Sequence, residues 1–107
     1  MSYDIDLVID TGIEEREVVT VGNYTSNVAG MWKKALGYSL RELDNKKADS
    51  CIEDLRKAIA DMEDNPKEYK EMNPPNGWGD YEGALNYLRK LLDACVKNPK
   101  CKIDIFY

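Results

Sequence analysis

Residues 3–10 read Tyr-Asp-Ile-Asp-Leu-Val-Ile-Asp, in which Tyr3, Ile5, Leu7 and Ile9 alternate with Asp4, Asp6, Val8 and Asp10. A period of two puts one set on each face of a strand, so the chain opens with a strand buried on one side. The segment TGIEE then turns the chain. Residues 16–21, REVVTV, return as the second strand of a hairpin through their β-branched run, and Gly22 ends it. The same signal recurs at the far end. In CKIDIFY, residues 101–107, Cys101, Ile103, Ile105 and Tyr107 alternate with Lys102, Asp104 and Phe106, which predicts a third strand.

Between the hairpin and the last strand the apolar period changes from two to that of a helix. Val28, Met31, Trp32, Ala35 and Leu36 predict a first helix from about Ser26 to Leu36, with Gly37 at its C-terminal cap. A short connection around GYSLRELDN leads to a second stripe, Ala48, Cys51, Ile52, Leu55, Ile59 and Met62, with Asp44 or Asn45 as its cap. That helix ends by Asn65-Pro66, and PKEYKEM adds a turn or two with Pro66 near its start. Asp80 caps the last helix, whose apolar face is Tyr81, Ala84, Leu85, Leu88, Leu91, Leu92, Cys95 and Val96, and Asn98-Pro99 stops it. These elements predict a single α+β domain over residues 1–107. Its two layers are a three-stranded sheet, made of the N-terminal hairpin plus the C-terminal strand, and the helices packed against it, in the order β-β-α-α-α-β.

Composition narrows the function classes. With 107 residues, 43% hydrophobic and 33% charged, the chain suits one modest core. No run approaches the roughly 18 to 20 apolar residues of a membrane span, and MSYDIDLVID lacks the pattern of a secretion signal, so a cytoplasmic protein is expected. Without that signal the sequon Asn23-Tyr24-Thr25 has no access to glycosylation. Six acidic residues against Arg16 alone place the whole net charge of -5 within residues 1–23. This bias opposes direct nucleic-acid binding, which needs clustered lysines and arginines. The absence of histidine excludes catalysis with a histidine base, and no partner that would activate Cys51, Cys95 or Cys101 is apparent. An odd number of cysteines without CxxC argues against both a disulfide framework and a zinc site. Asp4 and Asp6 share a strand face that Asp104 could join. A solvated outer face accounts for them better than a hard-cation site, which needs six or more oxygens, so no metal and no cofactor is expected.

Two segments stand apart. In GNYTSNVAGMW, residues 22–32, Asn23, Thr25, Ser26 and Asn27 fill the passage from strand to helix. They read either as an elaborate cap or as polar groups lining a pocket, with free helix amides able to meet a phosphate. In NPPNGWGDYEG, residues 73–83, two prolines and three glycines surround Trp78 and Tyr81 just before the last helix. Gly77 and Gly79 permit backbone closed to other residues and the prolines restrict the approach, so Trp78 is held in one orientation. Trp78 either caps the core or forms, with Tyr81, an aromatic wall.

These two motifs, with MSYDI at the start and NPKCKIDI near the end, resemble a widespread family of small proteins encoded mainly by phages, prophages and mobile elements. Its first motif typically reads Asn-hydrophobic-Thr-His-Asn, and its second Asn-Gly-Trp-Gly-Asn/Asp-Tyr followed by a helix. The matching positions are Asn23, Thr25, Asn27, Asn76, Gly77, Trp78, Gly79, Asp80 and Tyr81. Ser26 stands where the family commonly has histidine, and GYSLRELDNKK departs from its usual connection. The resemblance implies a viral or mobile-element origin and a fold, and no mechanism.

The motifs are expected side by side at one end of the sheet, where Asn23, Thr25, Asn27, Asn76, Trp78 and Tyr81 wall a ligand-sized cleft. The function this suggests is a non-enzymatic phage-type accessory protein that binds or sequesters a small polar ligand, such as a nucleotide-derived host defence signal. The alternative is an acidic interaction protein, whose face of Asp4, Asp6 and Asp10 engages and inhibits a host defence protein. A carboxylate enzyme finds no specific support.

Overall fold

The structure, a computed structural model, describes residues 1–10 and 12–107, with the side chains of Asp10 and Glu15 outside that description. The turn residue Thr11 and the side-chain position of Asp10 on the acidic face therefore lie outside the described residues. Strands β1 (Ser2–Asp10), β2 (Glu15–Thr25) and β3 (Lys102–Phe106) form one antiparallel sheet in the order β2-β1-β3. The helices are α1 (Ala29–Leu36), α2 (Ala48–Asp64), the five-residue α3 (Pro66–Lys70) and α4 (Tyr81–Lys97). Counting α3 as the turn that follows α2 after Asn65, the order is β-β-α-α-α-β in a two-layer α+β fold.

Hydrophobic burial drives the layering. Tyr3, Ile5 and Leu7 of β1 and Ile103 and Ile105 of β3 point into the core, where the α4 stripe of Ala84, Leu85, Leu88 and Leu91 meets them. Helix α4 lies against β2 and β1, while α2 packs chiefly against α4 and α1. Trp32 of α1 is fully buried, and its ring lies 5.2 Å from Tyr3 and 5.4 Å from Tyr87, with Nε1 donating to the Ala84 carbonyl at 3.1 Å.

The structure corrects several expected boundaries. Strand β2 does not end at Gly22 but continues through Asn23, Tyr24 and Thr25, paired with Asp4, Tyr3 and Ser2. It reaches that far because its register against β1 slips twice, between Ile5 and Asp6 and again between Leu7 and Val8. Each slip places an extra β2 residue, Val21 and then Val18, against the partner strand. Beyond the second slip the alternation in β1 also changes phase: Val8 is buried and Ile9 is 41% exposed. Ile13 and Val18 are exposed as well.

The first helix begins as a 3-10 turn, Ser26–Val28, before α1, and Gly37 caps α1 with φ 86° as expected. The connection to α2 carries a further 3-10 turn, Leu40–Leu43, that buries Leu40 and Leu43. Neither Asp44 nor Asn45 caps α2, which starts after Lys47. They serve the sheet instead. Asp44 Oδ1 accepts from the Ile105 amide at 2.9 Å, Asn45 N donates to Ile103 O at 2.8 Å, and Ile103 N donates to Lys46 O at 2.8 Å. This segment covers the outer edge of β3, which would otherwise offer unpaired backbone. On α4 and β3 the stripes end early. Val96 and Tyr107, expected inside, are 46% and 52% exposed, and the Tyr107 ring lies 4.2 Å from the Arg41 guanidinium.

Candidate functional site

Tyr24, in the stretch of strand that β2 gains by its slipped register, organises the site. Its ring stacks on Tyr87 at 5.9 Å and lies 6.3 Å from Trp32, so the core holds it from two sides. Its hydroxyl accepts from the Asp80 amide at 3.1 Å. Across from it stands Gly83, where a Cβ would come within 1.9 Å of the Tyr24 hydroxyl oxygen. Strand and helix meet this closely only because residue 83 has no side chain.

Gly79 makes the second close approach. Its φ is 87°, and a Cβ there would lie 2.5 Å from Thr25 Cγ2 and 3.0 Å from Val28 Cγ1. The loop of residues 73–80 is thereby laid on the end of β2 and the 3-10 turn. Internal hydrogen bonds brace it: Gly77 N donates to Pro74 O at 3.3 Å, Trp78 N to Asn76 Oδ1 at 2.9 Å and Tyr81 N to Asn73 Oδ1 at 2.8 Å. Asp80 caps α4 as expected, accepting from Gly83 N at 2.8 Å.

The two motifs thus share one end of the sheet and enclose an open cleft of about 510 Å³. Asn23, Thr25, Asn27, Asn76 and Trp78 line it, together with Met1 and Ser2. Trp78 is 67% exposed and does not cap the core. Tyr81, expected as a second aromatic wall, is absent from the cleft. It is the first residue of the α4 apolar stripe, so its side chain turns inward, buried, where its ring faces Tyr69 and its hydroxyl donates to Met62 O at 2.7 Å. The wall is a single indole.

Hydrogen bonds fix the polar groups around that indole. Asn23 Nδ2 donates to Ser2 Oγ at 2.8 Å and to Asp4 Oδ1 at 3.2 Å. Thr25 Oγ1 accepts from Asn27 N at 3.3 Å, and Ser26 donates through both its amide and its hydroxyl to Met1 O at 3.1 and 2.9 Å. The Ser26 and Asn27 amides, expected to be free for a phosphate, are therefore engaged. The carboxamide of Asn27 is an exposed polar side chain that these bonds leave open to the cleft.

The side chains that line the cleft include no carboxylate, amine, guanidinium, thiol or phenol, and Met1 brings the α-amino group of the chain to it. The cysteines lie elsewhere, all buried, and burial pushes the thiol of Cys51 up and that of Cys95 up to about 12. Such thiols stay protonated near neutral pH and make poor nucleophiles. Asp4, Asp6 and Asp104 form a separate acidic face on the outer side of the sheet, with Asp104 opposite Asp6 in register. Burial, followed by the charge of Glu17 and assisted by Asp104 and Asp4, raises the Asp6 carboxyl above its ordinary range. Among the described residues no group of three or more His, Cys, Asp or Glu is arranged to hold a metal ion, and no helix is long and apolar enough to cross a membrane.

Met1, Ser2 and Tyr24 escaped the sequence reading. The first two carry no signal, but Gly83 in the first turn of an amphipathic helix points to a close neighbour, which is Tyr24. A second opening of about 500 Å³ lies between β2 and α4, beside Arg89, Lys90 and Asp93, and shares Asn23 with the first. No family model, no curated protein and no solved structure matches the chain.

Proposed function

We propose that this protein is a non-enzymatic binding module that captures a small, planar, polar molecule in the cleft beside Trp78. The observation that carries this reading is the exposed indole, held on a braced loop against a row of carboxamides. A large aromatic left in water gives up the free energy of burial, about 1.5–3 kcal/mol for a side chain of this kind. Here Gly77, Gly79 and the Asn76 cap keep the loop from folding that indole inward. An aromatic plate flanked by amide donors and acceptors suits a planar ligand that stacks and hydrogen-bonds along its edge. Lining side chains without titratable groups support capture without chemistry, and a phage or mobile-element origin fits an accessory protein that removes a host signal.

The test is capture from a cell extract. Purified protein is incubated with the small-molecule fraction, desalted and denatured, and the released compounds are identified by mass spectrometry. A compound retained by the wild type and lost by Trp78→Ala is expected. If both proteins retain the same compounds, or neither retains any, the cleft is not a capture site.

The acidic outer face of Asp4, Asp6 and Asp104 favours a second reading, in which the sheet docks on a basic surface of a host protein. In that case Asp4→Asn combined with Asp6→Asn weakens partner binding and its salt dependence together, while Trp78→Ala leaves both unchanged. The opposite pattern excludes it.

A further inference from the structure

The Trp78 cleft does not end at Asn23. The same residue lines the opening of about 500 Å³ between β2 and α4, whose α4 side carries Gly83, Asn86, Arg89, Lys90 and Asp93. The two openings meet there and form one trench, with an indole at one end and charged side chains at the other. Those charges do not cancel. Arg89 Nη2 donates to Glu63 Oε2 at 2.5 Å and its Nη1 to Asn86 Oδ1 at 3.0 Å, while Lys97 Nζ pairs with Asp93 Oδ2 at 3.0 Å. Each of these carboxylates is matched by a cation, and the exposed Lys90 is left over, in no ion pair among the described residues. A chain of net charge -5 thus presents a surplus positive charge at this spot.

Position along the helix sets the length of what fits. Lys90 follows Gly83 by about 10 Å of helix axis at 1.5 Å per residue. Helical side chains lean toward the N-terminus of their helix, which in α4 is the end that adjoins the Trp78 loop. The Asp4 carboxylate stands behind Asn23, at 3.2 Å from its Nδ2, so a negative charge is less favoured midway along the trench than at its α4 end. The carboxamides of Asn23 and Asn86 lie between the two ends, and hydroxyl groups pair with either half of a carboxamide. We infer that the trench holds a nucleoside phosphate, with the planar base stacked on Trp78, the sugar crossing Asn23 and the phosphate met by Lys90. This rests on the binding role proposed above and names its ligand class. The anion is held by a side chain of α4, where a charge-assisted hydrogen bond is open to it, because the Ser26 and Asn27 amides are engaged within the protein.

Isothermal titration calorimetry with the four common ribonucleoside 5′-monophosphates and their four nucleosides tests the assignment. At least one monophosphate is expected to saturate, about ten-fold or more tighter than its nucleoside, with the gap shrinking as salt is raised. Lys90→Gln should close that gap and leave the nucleoside affinity in place, whereas Trp78→Ala should weaken both. A nucleoside that binds as tightly as its monophosphate overturns the phosphate assignment and leaves capture of a planar group intact. A gap that survives Lys90→Gln overturns the role of Lys90 and points to the α-amino group of Met1 at the cleft. If none of the eight saturates, the inference falls, and the extract experiment with Trp78→Ala decides separately whether the binding role falls with it.

Discussion

Trp32 and Trp78 are the two tryptophans of the chain, and the molecule holds them in opposite ways. Trp32 is fully buried and shares its faces with Tyr3, Tyr24 and Tyr87, while its indole N–H is satisfied by Ala84. Trp78 is 67% exposed and is fixed through its backbone, by Asn76 below and Gly79 beyond. Tyr24 joins the two regions, with its ring in the aromatic core and its hydroxyl on the amide of Asp80 at the end of the Trp78 loop. The contrast separates a side chain that stabilises the fold from one that the fold stabilises. Rigid core aromatics position the loop, and the loop presents an aromatic for which the core has no use.

Trp32→Ala should give the largest effect that sharpens this contrast. Emptying a fully buried indole site costs about 3–5 kcal/mol, enough to unfold much of a small domain, and urea denaturation would read it. Gly83→Ala comes next. Helix propensity favours alanine by about 1 kcal/mol, but the new Cβ would collide with a Tyr24 ring that Tyr87 and Trp32 hold in place, an overpacking cost of about 1–3 kcal/mol. A net loss of stability is expected in the wild type, reversed to a gain in a Tyr24→Ala background. A gain in both backgrounds would break the claim that Tyr24 and Gly83 set the junction.

Trp78→Ala should barely move the denaturation midpoint, by about 0.5 kcal/mol or less, because its indole supports little of the core. Binding of the captured molecule should weaken by about 1–3 kcal/mol, the worth of a lost stacking surface. Loss of stability as large as that of Trp32→Ala would erase the distinction between the two regions.

The smallest effect concerns the outer face. Because the folded chain raises the Asp6 carboxyl pKa, it holds that proton more tightly than the unfolded chain does. The corresponding stability is fully present below the unfolded value, about 3.9, and is lost as pH rises through the raised folded value. Asp6→Asn should therefore stabilise slightly at neutral pH, with the advantage shrinking below about pH 4. Thermal melts at both pH values check this, and an advantage that grew on acidification would contradict the assigned sign.

What the sequence reveals of this molecule follows from which interactions are local. The alternation of Tyr3, Ile5 and Leu7 and the stripe of Leu85, Leu88 and Leu91 are local, and they lead directly to the two-layer fold. The extension of β2 through Asn23–Thr25 depends on two register slips against β1, which no pattern in REVVTVGNYT announces. Asp44 and Asn45 look like helix caps because their side chains suit caps, yet a strand some sixty residues away in sequence uses them. The side-by-side placement of NYTSN and NGWGDY was legible from their polar and glycine content at helix starts. Tyr81 fits the sequence pattern both of a stripe residue and of a cleft wall, and the stripe decides its direction because burial of a phenol ring in a core outweighs its exposure beside one. The engagement of the junction amides was hidden, since a cap and an anion site use the same residue types.

The most direct test of the central claim follows the two indole N–H signals by NMR while the small molecule captured from extract is titrated into the protein. The account predicts that the Trp78 signal shifts and saturates together with the side-chain amides of Asn23, Asn27 and Asn76, while the Trp32 signal stays in place. A titration in which Trp78 is unmoved and the shifts gather instead around Asp4, Asp6 and Asp104, or run through the core to Trp32, would contradict it.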